Sequence, residues 1–489
     1  KPSKIYYTRE ETMIAGSARH EMEVTVKLGA MKDGTIRAIE VHALSNTGAY
    51  GEHGPTTIGL VGHKSIPLYS GKYEAFRFVA NTVYSNHPSA GAYRGYGATQ
   101  GVFAMENTVN LMAHKLGIDP VKIREHNMLH EGDIMTAYNN ETANACALDQ
   151  CMARCKEMMD WDSKFPAKTL PNGHIRSVGV AMAMQGSCIS FVDEANVTIK
   201  MNDDGFYSLL VGSTDMGTGS DTILAQMAAD VLECDLDDVV TYGVDTDTSP
   251  YDSGSYASST TYLTGNAVVK AAEQLRQNIT EQAAKRLECP KDEVAFDGKM
   301  LTCVSTGSSI TLKDLANQLQ GGTEGWQSVT AGGNSPVSPP PYMVGMAEID
   351  VDPETGKVVP IKYTACVDCG TVVNPNLARV QTEGGLMQGL GMALYEGQNY
   401  NGTGFNRMRN LMQYKIPTRM DIPEIEVDFR QSYEPTGPFG AKSIGEIVIN
   451  TPSPAIAHAI FNATGVMHHE LPIMPEHVWR GIQEKKQQG

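Results

Sequence analysis

Apolar and polar residues alternate along three stretches of the chain, each broken by a tight turn. Met22, Val24, Val26 and Leu28 alternate up to MKDGT, and Ile36 and Ala38 resume the pattern. Val197, Ile199 and Met201 lead into NDDG and then into 206–211. Ala347, Ile349 and Val351 lead into DPETGK and then into 358–363. A period of two marks a half-buried strand, and Asp-Gly and Thr-Gly supply the positive φ that a tight reversal needs. Three hairpins are predicted. Between them the period lengthens to that of a helix, over 103–116, 148–159, 222–234 and 265–287. Asp119-Pro120 reads as the N-cap and first position of a further helix. Strands and helices mix without a steady strand–helix–strand beat, so the fold class is α+β.

Two stretches rich in Pro and Gly, 161–172 and 321–341, read as linkers. They divide the chain into units 1–160, 161–330 and 331–489. The first is a minor α+β piece. Each of the others holds a hairpin with helices, which suggests a duplicated plan. Lys1 opens directly into strand-like sequence, so the first unit is expected to be the tail of a domain that begins on another polypeptide.

Composition narrows the function more than the fold. Asp and Glu number 56 against 39 Lys and Arg, a net charge of −17 that argues against a nucleic-acid partner. No apolar run approaches the ~18 residues of a membrane span. No signal-peptide pattern opens the chain, and nine cysteines are sparse and odd in number, so a cytoplasmic location is expected. Cys146, Cys151 and Cys155 fall at helical spacing and read as buried thiols. Cys366 and Cys369 form a single CxxC, too few thiols for a tetrahedral zinc site.

Five segments could carry chemistry. Gly91–Gly101 (GAYRGYGATQG) flanks Arg94 with glycines and tyrosines, a loop able to present an arginine and backbone N–H groups to an anion. DMGTGSD, 215–221, follows a strand and opens a helix, where backbone donors bind anions without a basic side chain. SGSYASSTT, 253–261, offers many small hydroxyls before a helix. EGGLMQGLG, 383–391, sets Gln388 among glycines, which serves either a heterocycle or close helix packing. PFGAKSIGEI, 438–447, places Glu446 before Ile447, Val448 and Ile449, where desolvation raises a carboxyl pKa toward that of a general base. HExxH, GxSxG and P-loop patterns are absent. Small-residue loops around one carboxylate fit a large cofactor that brings its own reactivity.

At these segments the chain resembles the molybdenum-binding subunit of the xanthine dehydrogenase family, the molybdenum hydroxylases. AYRGYG is similar to the family's AFRGFG loop, DMGTG to MGQG, YASS to the loop beside the metal, GGLMQG to a pterin loop and GAKSIGE to GxKxxGE. The closing HHELPIMPEHVW resembles the family's LPxxPE tail, and the motifs run in family order from residue 1 to about 480. The resemblance implies an elongated subunit of two large α+β domains, the first incomplete at its N-terminus.

It also implies roles by position. Glu446 is the general base that activates a water-derived oxygen for attack on an electron-poor carbon, with a hydride passing to the metal centre. Tyr96 contacts the substrate ring. Arg94, Gly95, Gly217, Thr218, Gly219, Ala257, Ser258, Ser259, Gln388, Gly389 and Lys442 form the cofactor envelope. The metal is held by the pterin dithiolene rather than by side chains. The implied cofactor is molybdopterin with molybdenum, in the cytosine dinucleotide form. The implied partners are an N-terminal molybdenum-domain subunit, an iron–sulfur subunit with 2Fe-2S clusters and an FAD subunit, in a higher-order oligomer.

Three departures stand out. The family's FGGK loop and the glutamine and glutamate of its N-terminal half are missing, which points to a partner subunit completing the site. The arginine that clamps substrate about thirty residues before Arg94 is replaced by LVGHKS, so His63 or Lys64 takes its place. A ring-sandwiching phenylalanine is replaced near Gln185-Gly186-Ser187, and Thr218 stands for the usual glutamine. The leading expectation is a hydroxylase of aromatic N-heterocycles, of the xanthine, hypoxanthine or nicotinate kind. An aldehyde-oxidising relative and a cofactor-free scaffold subunit are the alternatives.

Overall fold

The computed structural model describes residues 3–488. The three predicted hairpins are present. Glu21–Ala30 pairs antiparallel with Ile36–Asn46, and Ala75–Val83 adds in parallel to complete a three-stranded sheet. The inward residues Ile36, Ile39, Val41 and Ala43 pack in one core with Val102, Met105 and Val109 of the Ala98–Leu116 helix. Asp119 caps the next helix, Pro120–Asn127, its carboxylate accepting the Val121 and Lys122 N–H groups.

A second sheet orders its strands Val239–Gly243, Tyr207–Val211, Glu194–Met201 and Ser328–Asn334. Helices Ser220–Leu232 and Gly265–Leu287 cover it, joining Leu224, Val268 and Leu275 to Val197, Ile199 and Leu209 in a separate core. The third sheet has five strands, in the order Glu424–Phe429, Val358–Asp368, Tyr342–Val351, Ile175–Met184 and Ala167–Thr169. Helices Pro452–Thr464 and Leu148–Met159 both pack on it, and along 178–184 every residue is buried. Continuous burial without alternation is what a strand covered on both faces shows.

Two expectations are corrected. The stretch 161–172 is not a free linker. Trp161 is fully buried and stacked on Phe165, and Ala167–Thr169 edges the five-stranded sheet. Nor is 321–341 a linker throughout, because Ser328–Asn334 pairs antiparallel with Glu194–Met201. Pro and Gly mark where the chain turns, but backbone partners decide where it leaves the fold. Strand pairing between Ile175–Met184 and Tyr342–Val351 also runs across the expected cut at residue 330. All nine cysteines are free, and Cys151, Cys155 and Cys366 are core residues.

A buried ion pair ties the first sheet's helices to the third sheet. Glu106 and Arg124 have fully buried side chains. Glu106 accepts from Arg124 Nε at 2.9 Å, from the Met182 N–H at 2.7 Å and from the Tyr69 hydroxyl. Arg124 also donates to Asn110 Oδ1 at 2.8 Å. Removing one partner of such a pair strands a desolvated charge. Glu106→Ala should therefore cost about 3–5 kcal/mol, read as a lower denaturation midpoint. Glu74→Ala, which breaks an exposed pair with Arg37, should cost about 0–1 kcal/mol.

Candidate active site

Glu446 sits at the turn before Ile447–Ile449 and is 8% exposed. Its Oε1 accepts the Gly95 N–H at 3.0 Å. Its Oε2 accepts from Ser258 Oγ at 3.1 Å and from Gln185 Nε2 at 3.3 Å. Burial pushes its pKa up, and these three donors together with the nearby Lys64 charge only partly offset that. The result is a carboxylate held above the usual range, as a base near neutral pH requires.

The partners reach it through unusual backbone. Gly95 has φ +74°, and a Cβ there would lie 2.6 Å from Asn450 Oδ1 and 2.7 Å from Ile449 Cγ2, so only glycine fits. Ala257 and Ser258 both adopt left-handed φ, of 50° and 59°. Non-glycine residues held there are strained, and such strain gathers at functional sites. The π-helical turn Thr260–Thr264 then leads into the Gly265–Leu287 helix.

Arg94 joins the remaining motifs. It donates through Nε to the Gly445 carbonyl, through one terminal nitrogen to Gln388 Oε1 at 3.1 Å, and through the other to Gln381 Oε1 at 3.0 Å. Gln381 in turn donates to the Gly217 carbonyl at 3.3 Å. Ser443 Oγ donates to the Ser258 carbonyl. All five sequence motifs therefore meet in one hydrogen-bonded cluster. Arg19 supports it from behind, donating to the Arg94 carbonyl at 2.7 Å and to Thr99 Oγ1 at 2.6 Å.

Two further buried side chains feel the charge of the carboxylate. Tyr96 is buried, and burial with the neighbouring Glu446, Asp193 and Tyr256 raises its pKa, so the phenol stays neutral. Lys64 is 4% exposed, and desolvation draws its pKa down to about 7. Its ammonium donates to the Tyr138 hydroxyl at 2.8 Å, which in turn donates to the Ser338 carbonyl at 2.6 Å.

Other expected residues are placed differently. His63 stacks flat on Tyr138, with centroids 4.2 Å apart, and lines an apolar groove with Phe76 and Phe78. Burial and Lys64 hold its pKa near 3, so it is a neutral ring and not an anion clamp. Lys442 is locked in a fully buried pair with Asp368 at 2.9 Å and also donates to the Ala145 carbonyl. It anchors the loop that carries Glu446 instead of reaching a cofactor. Gly389 is a packing residue, since a Cβ there would lie 2.7 Å from Pro452 Cγ. Ser259 turns back to the Gly254 carbonyl at 3.3 Å. The DMGTG donors are also engaged. Asp215 Oδ1 accepts from the Gly217, Thr218 and Gly219 N–H groups at 2.9, 2.8 and 3.2 Å, so the helix start is filled by its own carboxylate.

Sequence reasoning missed Gln185 as a partner of Glu446, Tyr138 as the support of Lys64, and Gln381 as the relay to Gly217. A signal existed for Gln381, which lies seven residues before Gln388 and so on the same helix face. None existed for Tyr138.

The cluster suits an imported metal–pterin group. Both polar atoms of the Asn450 side chain are buried with no partner among the described residues. Gly217 and Gly254 have positive φ, and a Cβ on either would meet nothing within 4 Å. Among the described residues no three His, Cys, Asp or Glu side chains gather to hold a metal, so a metal would arrive with its own ligands.

Comparisons with known proteins agree with this. The molybdopterin cofactor-binding domain family matches residues 1–128 and, in a second form, 154–423. The "Probable hypoxanthine oxidase XdhD" of Escherichia coli strain K12 is 38% identical over 99% of this chain and 51% of its own. The xanthine dehydrogenase molybdenum-binding subunit of Escherichia coli O157:H7 is 33% identical over 98% of this chain and 64% of its own. The chain thus spans between half and two thirds of these relatives. Quinoline 2-oxidoreductase from Pseudomonas putida 86 shares the fold, with a TM-score of 0.90 at 23% identity over 98% of this chain and 64% of that one. The chain belongs to the molybdopterin-binding, molybdenum-carrying branch of the xanthine dehydrogenase family.

Proposed function

We propose that the chain is the catalytic part of a hydroxylase that inserts water-derived oxygen at an electron-poor carbon of an aromatic N-heterocycle, a purine of the xanthine or hypoxanthine kind or a nicotinate-like ring. The observation that carries this reading is Glu446, a desolvated carboxylate fixed by donors from three separate loops. When bound, molybdopterin with its metal supplies the two-electron and oxygen-transfer chemistry. Glu446 takes the proton released as the new bond forms, and its raised pKa makes it a stronger base than an ordinary carboxylate. Tyr96 gives a flat wall for the ring. Lys64 is the cation near the reacting edge. Arg94, with Gln388 and Gln381, holds the loops in register around the group. Gly95, Ala257 and Ser258, and the outer face of Gly217, Thr218 and Gly219, line it.

The finer cofactor and partner assignments belong to the same proposal. The pterin is the cytosine dinucleotide form. Electrons leave through 2Fe-2S clusters and FAD on partner chains, and an N-terminal molybdenum-domain subunit completes the site. The assembly is a higher-order oligomer in the cytoplasm. Among the described residues no helix is long and apolar enough to cross a membrane.

Glu446→Gln should lower kcat by at least about 100-fold, the contribution of a positioned base, while metal analysis shows molybdenum retained. Full activity in that variant removes Glu446 from the mechanism. A panel of purines, nicotinate and aldehydes separates the heterocycle reading from an aldehyde oxidase.

The pH profile is a second test. Glu446 must be ionised, so activity rises with pH through its elevated pKa. Lys64 loses its charge above about 7, so kcat/KM falls again on the alkaline side. Lys64→Met should abolish the alkaline limb and move the acid limb upward, because the Lys64 charge lowers the Glu446 pKa.

A further inference from the structure

Gln185 follows the Ile175–Met184 strand and is 3% exposed. Its Nε2 donates to Glu446 Oε2, but its Oε1 is buried and has no partner among the described residues. A buried carbonyl oxygen left unpaired is disfavoured, and such groups are rare unless a ligand or water completes them. The next residue is Gly186. A Cβ there would stand 2.9 Å from Lys64 Nζ and 2.7 Å from Ser338 Oγ, so the missing side chain is what lets the ammonium lie against this backbone. An ammonium carries three hydrogens. Tyr138 takes one of them. The wall next to Glu446 therefore offers a free acceptor and a free donor from adjoining positions.

We propose that Gln185 and Lys64 are the specificity-determining pair of this site, and that they read a cyclic amide. Gln185 Oε1 accepts a ring N–H, and Lys64 donates to the neighbouring ring carbonyl. The inference deepens the reading of Glu446 as the base of a heterocycle hydroxylase and rests on it. A ring with a lactam edge satisfies both groups. An aldehyde has the carbonyl without the N–H. A plain aza-aromatic ring has neither and leaves Oε1 unpaired. Gln185 also fixes the carboxylate by its other end, so recognition of the ring and placement of the base share one side chain.

The test is calorimetric titration of the cofactor-loaded complex with hypoxanthine, 1-methylhypoxanthine and purine. Wild type should bind hypoxanthine at least roughly tenfold more tightly than its N-methylated form, the cost of one unpaired buried polar group. Gln185→Met, close in size, should bring that ratio near one. Lys64→Met should narrow the gap between hypoxanthine and purine. A wild-type ratio near one overturns the proposal without any variant, and so does a ratio unchanged in Gln185→Met. The acid limb of the Gln185→Met pH profile should move up, because the lost hydrogen bond lowers the Glu446 pKa. Product formation is measured separately. Selective binding without a hydroxylated product defeats the hydroxylase reading and leaves the clamp standing.

Discussion

A carboxylate cannot be taken out of water unless donors replace the water, and Glu446 imposes that condition on the whole chain. Its donors come from residues 95, 185 and 258, so four distant parts of the sequence must converge on one point. The glycine at 95 and the paired left-handed residues 257 and 258 are local costs of that convergence. Sheet pairing provides the frame. The strand Ile175–Met184 delivers Gln185, while its neighbour pairs with Val358–Asp368, whose last residue holds the Glu446 loop.

That hold is itself a buried charge. Asp368 accepts from Lys442, from the Ala147 N–H, from Ser432 and from the Gly370 N–H. Each carboxylate oxygen has two donors, which is the condition for keeping an ion pair in the interior. The same economy governs the cluster above it. Arg94 uses its planar fork to tie its own loop to Gly445 and to two turns of the Pro375–Leu394 helix, a geometry a lysine at that position does not offer. The site is thus a polar network in which nearly every member is satisfied, and the exceptions, Gln185 Oε1 and Asn450, lie next to Glu446 or Gly95.

The alternation of Val197, Ile199 and Met201 made its hairpin legible, because a half-buried strand writes its burial into every second residue. The strand at 328–334 was not legible. Its sequence, SVTAGGN, has no run of alternation, and only pairing with Glu194–Met201 makes it a strand. The motif loops could be read as ligand loops, since glycine and small hydroxyls in clusters reveal close backbone approach. What each donor faces could not. Lys442 and Arg94 are both cations in glycine-rich loops, yet one is locked on Asp368 and the other spans the site. That difference depends on residues about 75 and 290 positions away, and no local pattern encodes it. Lys64 and His63 are adjacent, and the helix end that carries them sends one toward Glu446 and the other to the apolar groove.

The charge balance of the site bears on what it accepts. The helix start at 220 is filled by Asp215; burial tends to raise that carboxyl, and four backbone donors outweigh it and keep it ionised. That helix start therefore does not draw an outside anion. Around Glu446 the cations are Lys64, Arg94 and Arg19, and both arginines are already engaged with neighbouring carbonyls and side chains. The Lys64 charge, by contrast, is half lost at about pH 7. On the proposed reading, Lys64 is the cation offered to the ring, and a charge this weakly held beside a buried carboxylate disfavours an anionic substrate. The proposed pair of Gln185 and Lys64 favours a neutral ring, held by paired hydrogen bonds and by the Tyr96 face. Within the proposed substrate class, that reading puts a purine with its lactam ahead of a free carboxylate such as nicotinate, even though both carry an electron-poor carbon.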